Sequence, residues 1–354
     1  MKKIVMTGGG TAGHVTPNIA LMPSLQKAGY EISYIGSMDG IEKGLIEEQE
    51  IPYYGISSGK LRRYHSWKNF TDPFKVMKGF FQARHILGRI KPDVVFSKGG
   101  FVSVPVILAA KTKGIPAIIH ESDLTPGLAN KLAIPAATKV CCNFPETVPY
   151  LPAGKAVLTG SPIRQELLHG SKSKGMSFCH FKRDLPILMI MGGSIGSVYI
   201  NNAVRGCLHD LLREYQIIHL CGKGNLDESL ADTEGYAQFE YISDNLPDLF
   251  AAADIMIARA GANSICEILA LRKPNILIPL GRNASRGDQI LNANSFAKQG
   301  FSVVLEEENV TSDTLKATIK DVMANKQTYI SAMERSGQMD AISTILSLID
   351  EAAK

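Results

Sequence analysis

Apolar residues along this chain fall into short, nearly unbroken runs rather than the every-second-position alternation of a half-exposed strand. Lys3–Met6, Ile32–Ile35, Pro52–Ile56, Val94–Ser97, Ala117–His120, Val140–Asn143 and Val157–Leu158 read as strands in the first half. Helical spacing fills most of the intervals, as in Asn18–Lys27 and Val102–Lys113. Continuous apolar strands joined by helical crossovers predict a parallel sheet covered on both faces. The pattern restarts at Ile187–Met191 and runs through Ile217–Leu220, Ala237–Tyr241, Ile255–Ala258, Asn275–Ile278 and Ser302–Leu305. Its helices cover Ile200–Tyr215, Asn263–Leu271 and Asp288–Gln299. The chain thus reads as two doubly wound α/β units.

The joint falls between Gly160 and Asp184, where Gly160-Ser161-Pro162 signals a turn and residues 170–175 are rich in Gly, Ser and Lys. We place the first domain at 1–163 and the second at 164–335. A final segment, Thr328–Ala353, reads as helix, and its end, from about 336 to 354, is long enough to pack back on the first domain.

A length of 354 residues agrees with two domains, since single cores stop growing near ~250–300 residues. With 45% apolar and 20% charged residues, disorder is excluded as the dominant state. Apolar runs such as Phe101–Ala110 fall far short of the ~20 residues of a membrane span. Met1-Lys2-Lys3 leads into only three apolar residues before the glycines, too few for a signal peptide. Six cysteines without a C-x-x-C fit a reduced cytosolic chain better than a disulfide framework or a zinc site.

The net charge of +4 hides an asymmetry. Residues 1–164 carry 20 Lys and Arg against 11 Asp and Glu, a net of +9, and the remainder carries 18 against 23, a net of −5. Halves of opposite sign suggest different partners. No nucleic-acid module accompanies the basic half, so nucleic acid is not expected as a partner.

Each half opens with a strand, a glycine-rich loop and a helix. The first loop is Gly8-Gly9-Gly10-Thr11-Ala12-Gly13 and the second is Gly192-Gly193-Ser194-Ile195-Gly196. Glycines let the main chain turn sharply and approach a phosphate, and the helix N-terminus behind them favours an anion. A dinucleotide site would also need an acid where the second strand ends. That strand ends at Tyr34-Ile35-Gly36-Ser37, and the acid we note nearby is Asp39, displaced into the loop. A dehydrogenase is therefore disfavoured. Tight strand-to-helix turns with no ligand are the alternative for either loop alone, and two such loops opening two units are harder to dismiss.

Six segments together carry a family resemblance. Gly8-Gly9-Gly10-Thr11-Ala12-Gly13-His14, Ser97-Lys98-Gly99-Gly100-Phe101, His120-Glu121-Ser122, Gly160-Ser161-Pro162-Ile163-Arg164, Gly192–Gly196 and Arg259-Ala260-Gly261-Ala262-Asn263-Ser264 resemble, in order, the motifs of the MurG family. Those enzymes are GT-B glycosyltransferases that add N-acetylglucosamine to lipid I, the undecaprenyl-linked precursor of peptidoglycan. The resemblance implies two Rossmann-like doubly wound parallel-sheet domains facing across a cleft. It also implies inverting transfer from UDP-GlcNAc to the MurNAc 4-hydroxyl, which gives lipid II.

By the same resemblance, the second domain holds the donor. Ser194 and the amides around it would bind the diphosphate, with Arg164 contacting the donor. Glu267 would accept the ribose hydroxyls, a role that suits a carboxylate. Ala262, Asn263 and Ser264 open the helix that faces the donor, Gln289 lies near the sugar hydroxyls, and Ile242 is a candidate uracil contact. In the first domain, Thr11, Ala12 and Gly13 lie where donor and acceptor meet, and Gly99, Gly100 and Phe101 form an acceptor loop.

His14 is the first candidate for the catalytic base, because a histidine at a helix N-terminus stays neutral and can accept a proton. Glu121 is the competing base or the residue that orients it. Asp123 stands where the family often has Asn, and a carboxylate offers no amide donor to a sugar nucleotide.

No D-x-D occurs, so no metal and no other cofactor is expected, and loop amides, helix dipoles and Arg164 would stabilise the departing UDP. The lipid acceptor requires a visit to the membrane. Residues 60–91 carry nine basic residues against Asp72 and interleave them with aromatics. Trp67, Phe70 and Phe74, with Lys68, Lys75 and Lys78, are candidates for docking on an anionic surface at the cytoplasmic face. A helix with an ordinary core face would show similar spacing. Other cell-wall synthesis proteins are further candidate partners. Another GT-B enzyme, such as a diacylglycerol glycosyltransferase or a UDP-GlcNAc 2-epimerase, or a non-catalytic sugar-nucleotide-binding adaptor, remains the alternative.

Overall fold

The computed structural model describes residues 1–59, 68–193, 196–281, 287–336 and 340–354, with the main chain alone for 68–71 and 73. Two compact units emerge, Met1–Arg164 with Asp340–Lys354, and Gln165–Met339.

Seven parallel strands build the first unit: β1 (Lys2–Thr7), β2 (Tyr30–Ser37), β3 (Tyr53–Ile56), β4 (Val94–Ser97), β5 (Ala117–Glu121), β6 (Lys139–Cys142) and β7 (Ala156–Leu158). They lie in the order β3-β2-β1-β4-β5-β6-β7. The crossovers include α1 (Thr16–Lys27), α2 (Ile41–Glu47), α3 (Lys68–Ile90), α4 (Ser103–Thr112) and α5 (Leu128–Ala133). Neighbouring residues of β1 serve opposite faces. Val5 packs with Ala83, Leu87 and Val106, whereas Ile4 and Met6 pack with Leu21, Leu25 and Ile345. A strand buried on both sides has no place for polar alternation, which is why its sequence is continuously apolar.

Six parallel strands build the second unit: β8 (Ile187–Met191), β9 (Gln216–Leu220), β10 (Tyr236–Phe239), β11 (Ile255–Ala258), β12 (Asn275–Leu277) and β13 (Val303–Val304), in the order β10-β9-β8-β11-β12-β13. Its helices are α6 (Lys172–Phe178), α7 (Val198–Gly206), α8 (Leu208–Leu211), α9 (Leu246–Ala252), α10 (Ala262–Ala270), α11 (Asp288–Lys298), α12 (Ser312–Ala324) and α13 (Lys326–Glu334). Ile200, Val204, Leu208 and Leu211 pack with Leu315, Ile319 and Val322 over one face of this sheet.

Two helices differ from the sequence reading. The single helix expected over Ile200–Tyr215 breaks at Gly206, a poor helix former, where Cys207 leaves helical geometry at φ −121°. The segment Thr328–Ala353 is likewise two helices. α13 ends at Glu334, and a new helix, α14 (Ala341–Ala352), starts where the Asp340 carboxylate accepts the Ser343 N–H at 3.1 Å. That local cap outweighs the continuous periodicity. α14 belongs to the first unit. Ile345 and Ile349 are fully buried in its core, and Asp350 accepts from Lys2 Nζ at 3.0 Å and Tyr30 OH at 2.7 Å. Each fully buried Ile contributes about 1.5–3 kcal/mol.

Candidate functional site

In both sheets the strand order reverses beside the first strand, between β1 and β4 and between β8 and β11. Chains leaving the carboxyl ends of those strand pairs diverge, and the crevice they leave is where ligands bind in open α/β sheets. The glycine loops stand at these two places.

In the first unit, Gly8–Gly10 follow β1 and Gly99 and Gly100 follow β4. Gly99 and Gly100 hold φ values of +91° and +87°, left-handed conformations that favour glycine. A Cβ on Gly100 would collide with the main chain of Gly9, so the two loops touch backbone to backbone. Phe101 follows, partly exposed.

Thr11 heads a single 3-10 turn, Ala12–His14, from which α1 departs. His14 Nδ1 lies 3.1 Å from the Gly9 carbonyl oxygen and 3.1 Å from Thr11 Oγ1. A carbonyl only accepts, so Nδ1 carries the proton, and Nε2 keeps its lone pair. Burial, and then the nearby Lys98 cation, pull the imidazole below its ordinary pKa against weaker upward effects from Gly9 and Glu42. His14 is thus a neutral histidine whose accepting atom is Nε2.

An acid does serve the first glycine loop, but it is Glu42 rather than Asp39. The Glu42 side chain, fully buried at the start of α2, accepts from Gly10 N–H at 3.1 Å, Ser37 N–H at 3.0 Å and the Ser37 hydroxyl. Burial raises its pKa, and these donors more than offset that, leaving it below the ordinary value. One N–H of this loop, that of Gly10, is thus taken by the protein's own carboxylate.

Glu121 ends β5 with its carboxylate engaged. It accepts from Asp123 N–H at 3.0 Å, Gly127 N–H at 3.0 Å and Asn130 Nδ2 at 2.8 Å, which shapes the turn that carries Asp123. Burial, assisted by the Asp123 charge, raises its pKa against the pull of Asn130. One residue earlier, His120 donates from Nε2 to the Gly160 carbonyl at 2.9 Å. Its Nδ1 accordingly accepts from Lys98 Nζ at 2.8 Å, and Lys98 also reaches Ser122 Oγ at 2.7 Å. Arg164 is partly exposed at the end of this unit's main segment.

In the second unit, Gly192, Gly193 and Gly196 follow β8. Gly196 has φ +83° and passes so close to the Cys221 carbonyl that no side chain would fit. Ser197 then caps α7, its hydroxyl accepting the Ile200 N–H at 3.3 Å. The Ser197 hydroxyl is itself held by Arg259 Nη2 at 2.7 Å. Arg259 directly follows β11 and is nearly buried. It donates to the carbonyls of Ile278 (3.1 Å) and Pro279 (3.2 Å) and to Glu307 Oε1 (2.7 Å). Glu307 Oε2 accepts the Gly281 N–H at 3.0 Å. Burial raises the Glu307 pKa, but Arg259 and Gly281 more than offset it. One guanidinium thereby ties together the chain segments that leave β8, β11 and β12.

Ala262, Asn263 and Ser264 open α10 ahead of its first helical bond, from Ile265 N–H to the Gly261 carbonyl. Glu267 lies in the middle of the same helix, partly exposed. Gln289, in the first turn of α11, accepts the Leu280 N–H at 3.0 Å. Ile242 is partly exposed, three residues beyond β10.

Ser194 and Trp67 lie outside the described residues, as do the side chains of Lys68 and Phe70. Phe74, Lys75 and Lys78 are exposed on α3, and Lys75 lies 3.5 Å from Asp72. Phe74 (73% exposed), Met77 (56%) and Phe81 (61%) recur at i, i+3 and i+7 on one helix face, while Ala83 and Leu87 are buried in the core. The sequence reading assigned no role to Lys98, Glu42, Arg259 or Glu307. A lone charged residue directly after an apolar strand is the signal that marks Lys98 and Arg259. Among the described residues no helix is long and apolar enough to cross a membrane, and no cluster of three or more metal-binding side chains occurs.

Residues 4–142 match the glycosyltransferase family 28 N-terminal domain, and residues 187–347 match the family 28 C-terminal domain. The chain is 64% identical, over all of both chains, to a protein of Lachnospira eligens named UDP-N-acetylglucosamine–N-acetylmuramyl-(pentapeptide) pyrophosphoryl-undecaprenol N-acetylglucosamine transferase. It is 62% identical, over 99% of each chain, to the protein of that name from Lachnoclostridium phytofermentans. The crystal structure of MurG from Acinetobacter baumannii superimposes with a TM-score of 0.78 at 27% identity, covering 99% of this chain and all of the other.

Proposed function

The chain belongs to glycosyltransferase family 28, and from that membership we propose that it transfers N-acetylglucosamine from UDP-GlcNAc to lipid I, forming lipid II. The acceptor is the 4-hydroxyl of the MurNAc residue of undecaprenyl-pyrophosphoryl-MurNAc-pentapeptide. The observation that carries the chemistry is the contact from His14 Nδ1 to the Gly9 carbonyl, which reserves Nε2 as a proton acceptor.

In this reading, the acceptor oxygen forms its bond to C1 of GlcNAc while its proton passes to Nε2. The bond from C1 to the β-phosphate oxygen breaks with inversion, and its electron pair leaves on UDP. Burial and Lys98 keep His14 neutral before the step, as a general base near neutral pH requires. Glu121 acts on the shape of the Asp123 loop, since three donors already occupy its carboxylate.

The second unit supplies the nucleotide site. The loop around Ser194 and the start of α7 take the diphosphate, where main-chain amides and the helix dipole favour an anion. Arg164 neutralises the departing charge. Ala262, Asn263 and Ser264 line the donor, Glu267 takes the ribose diol, Gln289 offers its amide to the sugar, and Ile242 borders the uracil. Without a D-x-D, the transfer needs no divalent cation.

The exposed Phe74, Met77 and Phe81 face of α3, beside Lys75 and Lys78, meets the anionic cytoplasmic face of the membrane, where the lipid acceptor resides. Peripheral attachment of this kind needs no membrane span.

Radiolabelled UDP-GlcNAc incubated with a short-chain lipid I analogue tests the reaction. Label should enter the lipid fraction, with and without EDTA. Donor binding without label in the lipid would overturn the reading in favour of a binding protein.

A further inference from the structure

We propose that Lys98 is a positioning residue for this transfer: buried beside the first glycine loop, it ties the ends of β4 and β5 together and sets the charge that His14 faces. The proposal rests on the reading of His14 as the base.

Lys98 is 1% exposed. Its main-chain N–H bonds the Thr7 carbonyl at 3.0 Å, which joins the end of β4 to the end of β1, the strand that launches the His14 loop. Two residues on, Gly100 packs against Gly9, whose carbonyl holds His14. The ammonium donates to His120 Nδ1 and Ser122 Oγ, and His120 passes the connection to the Gly160 carbonyl. A polar chain therefore runs from the glycine loops to the segment that ends at Arg164.

The geometry also fixes charges. His120 donates from Nε2, so protonating Nδ1 would turn a proton toward the ammonium. Burial first, and Lys98 second, hold the His120 pKa well below its ordinary value. Two charged groups act on the His14 imidazole in opposite directions, Lys98 after β4 lowering its pKa and Glu42 on α2 raising it. Removing Lys98 leaves Glu42 unopposed and makes the imidazolium easier to form.

The test uses the 354-residue chain and three variants, Lys98→Met, Lys98→Gln and Lys98→Arg. Histidine-labelled protein is titrated by NMR without substrates, and the pH dependence of kcat/KM is measured with the lipid I analogue. In Lys98→Met, the His14 midpoint and the acid limb of kcat/KM should both move up by about 0.5–1 pH unit. Transfer below that limb should then fall about 3- to 10-fold, while transfer at pH 8.5 stays within about threefold. Lys98→Arg keeps the charge and should restore both midpoints, which a role in packing alone would not require. Lys98→Gln carries the neutral arm if Lys98→Met fails to fold.

A neutral variant in which His14 titrates as in the wild type overturns the proposal, whatever its activity. If the His14 midpoint shifts while the acid limb stays, His14 is not the base, and the role of Lys98 in transfer falls with it.

Discussion

Nδ1 of His14 faces the carbonyl oxygen of Gly9 at 3.1 Å, and this contact decides which ring nitrogen is available for chemistry. Replacing His14 by Ala should lower kcat by about 10²–10⁴-fold, the usual contribution of a positioned base. Affinity for UDP-GlcNAc, measured by calorimetry, should stay within about threefold, since the residues proposed to hold the nucleotide, among them Ser194, Glu267 and Ile242, lie on other segments. A variant that keeps full turnover would remove His14 from the reaction.

Glu42 offers a second test, on stability. Glu42→Ala strands the Gly10 and Ser37 donors in a buried site and should cost about 2–4 kcal/mol in urea unfolding. Glu42→Gln keeps an acceptor oxygen and should cost less. Equal losses would mean that the negative charge, rather than the filled space or a remaining acceptor oxygen, sets the penalty.

Arg259 and Glu307 should behave as a unit. Each is partnered in a largely buried place, so Glu307→Met alone leaves a guanidinium without its carboxylate and should cost about 3–5 kcal/mol. The double variant Arg259→Met with Glu307→Met should recover part of that loss, as a double-mutant cycle in urea would reveal. Simple additivity would show that the pair is not coupled. In the double variant the proposed nucleotide site should also loosen, because Arg259 holds Ser197, the cap of α7.

Legibility in the sequence followed the physics of each feature. The strands at Val94–Ser97, Ile187–Met191 and Ile255–Ala258 appear with the expected bounds, because a strand buried on both faces writes itself as an unbroken apolar run. The breaks at Cys207 and before Asp340 were hidden, since one cap or one departure from helical φ overrides several turns of agreeable periodicity. His14 was legible as a neutral histidine but for an incomplete reason. The helix start was visible, whereas the Lys98 cation comes from a strand more than 80 residues away and depends on the β1–β4 pairing. Glu42 was overlooked because spacing alone favoured Asp39 as the acid nearest the end of β2, and only the start of α2 turns Glu42 back to Gly10. Exposure on α3 sets Phe74, Met77 and Phe81 apart from the buried Ala83 and Leu87, a division that helical spacing alone leaves open.

His219 should make the second unit sensitive to acid. Its Nε2 donates to Asn201 Oδ1 at 3.0 Å, and its Nδ1 accepts from the Tyr236 hydroxyl at 2.9 Å, so the buried ring is held neutral. Burial, and then the Arg205 charge, lower its pKa to about 3. Above pH ~6.5 the ring is neutral in both folded and unfolded chains and contributes no pH dependence. Below that, the unfolded chain takes up the proton first, so stability falls with pH from about 6.5 toward 3, by up to about 4–5 kcal/mol at the lower end. Urea midpoints at pH 7.5, 6, 5 and 4 should decline, and the decline should be shallower in His219→Gln. A parallel decline in both proteins would assign the acid sensitivity to other groups.

The last prediction separates a core position from a surface one on the same helix. Phe74 and Phe81 already stand in water, so Phe74→Ser with Phe81→Ser should change the urea midpoint little. On a bilayer, each of these rings can bury apolar surface worth about 1.5–3 kcal/mol, so binding to vesicles containing anionic lipid should weaken by tenfold or more. Charge reversal at Lys75 and Lys78 should weaken it as well, with the effect fading as salt is raised, because those groups act through a screened surface potential. Leu87→Ala supplies the contrast. Its side chain is fully buried against the first sheet, so the variant should lose about 2–5 kcal/mol of stability yet, while folded, bind vesicles as the wild type does. Transfer to a water-soluble acceptor analogue should survive the Phe and Lys changes, and transfer to acceptor embedded in vesicles should fall with binding. If the double Phe variant and the Lys reversals bind anionic vesicles as tightly as the wild type, the exposed face of α3 has no part in bringing the enzyme to its acceptor.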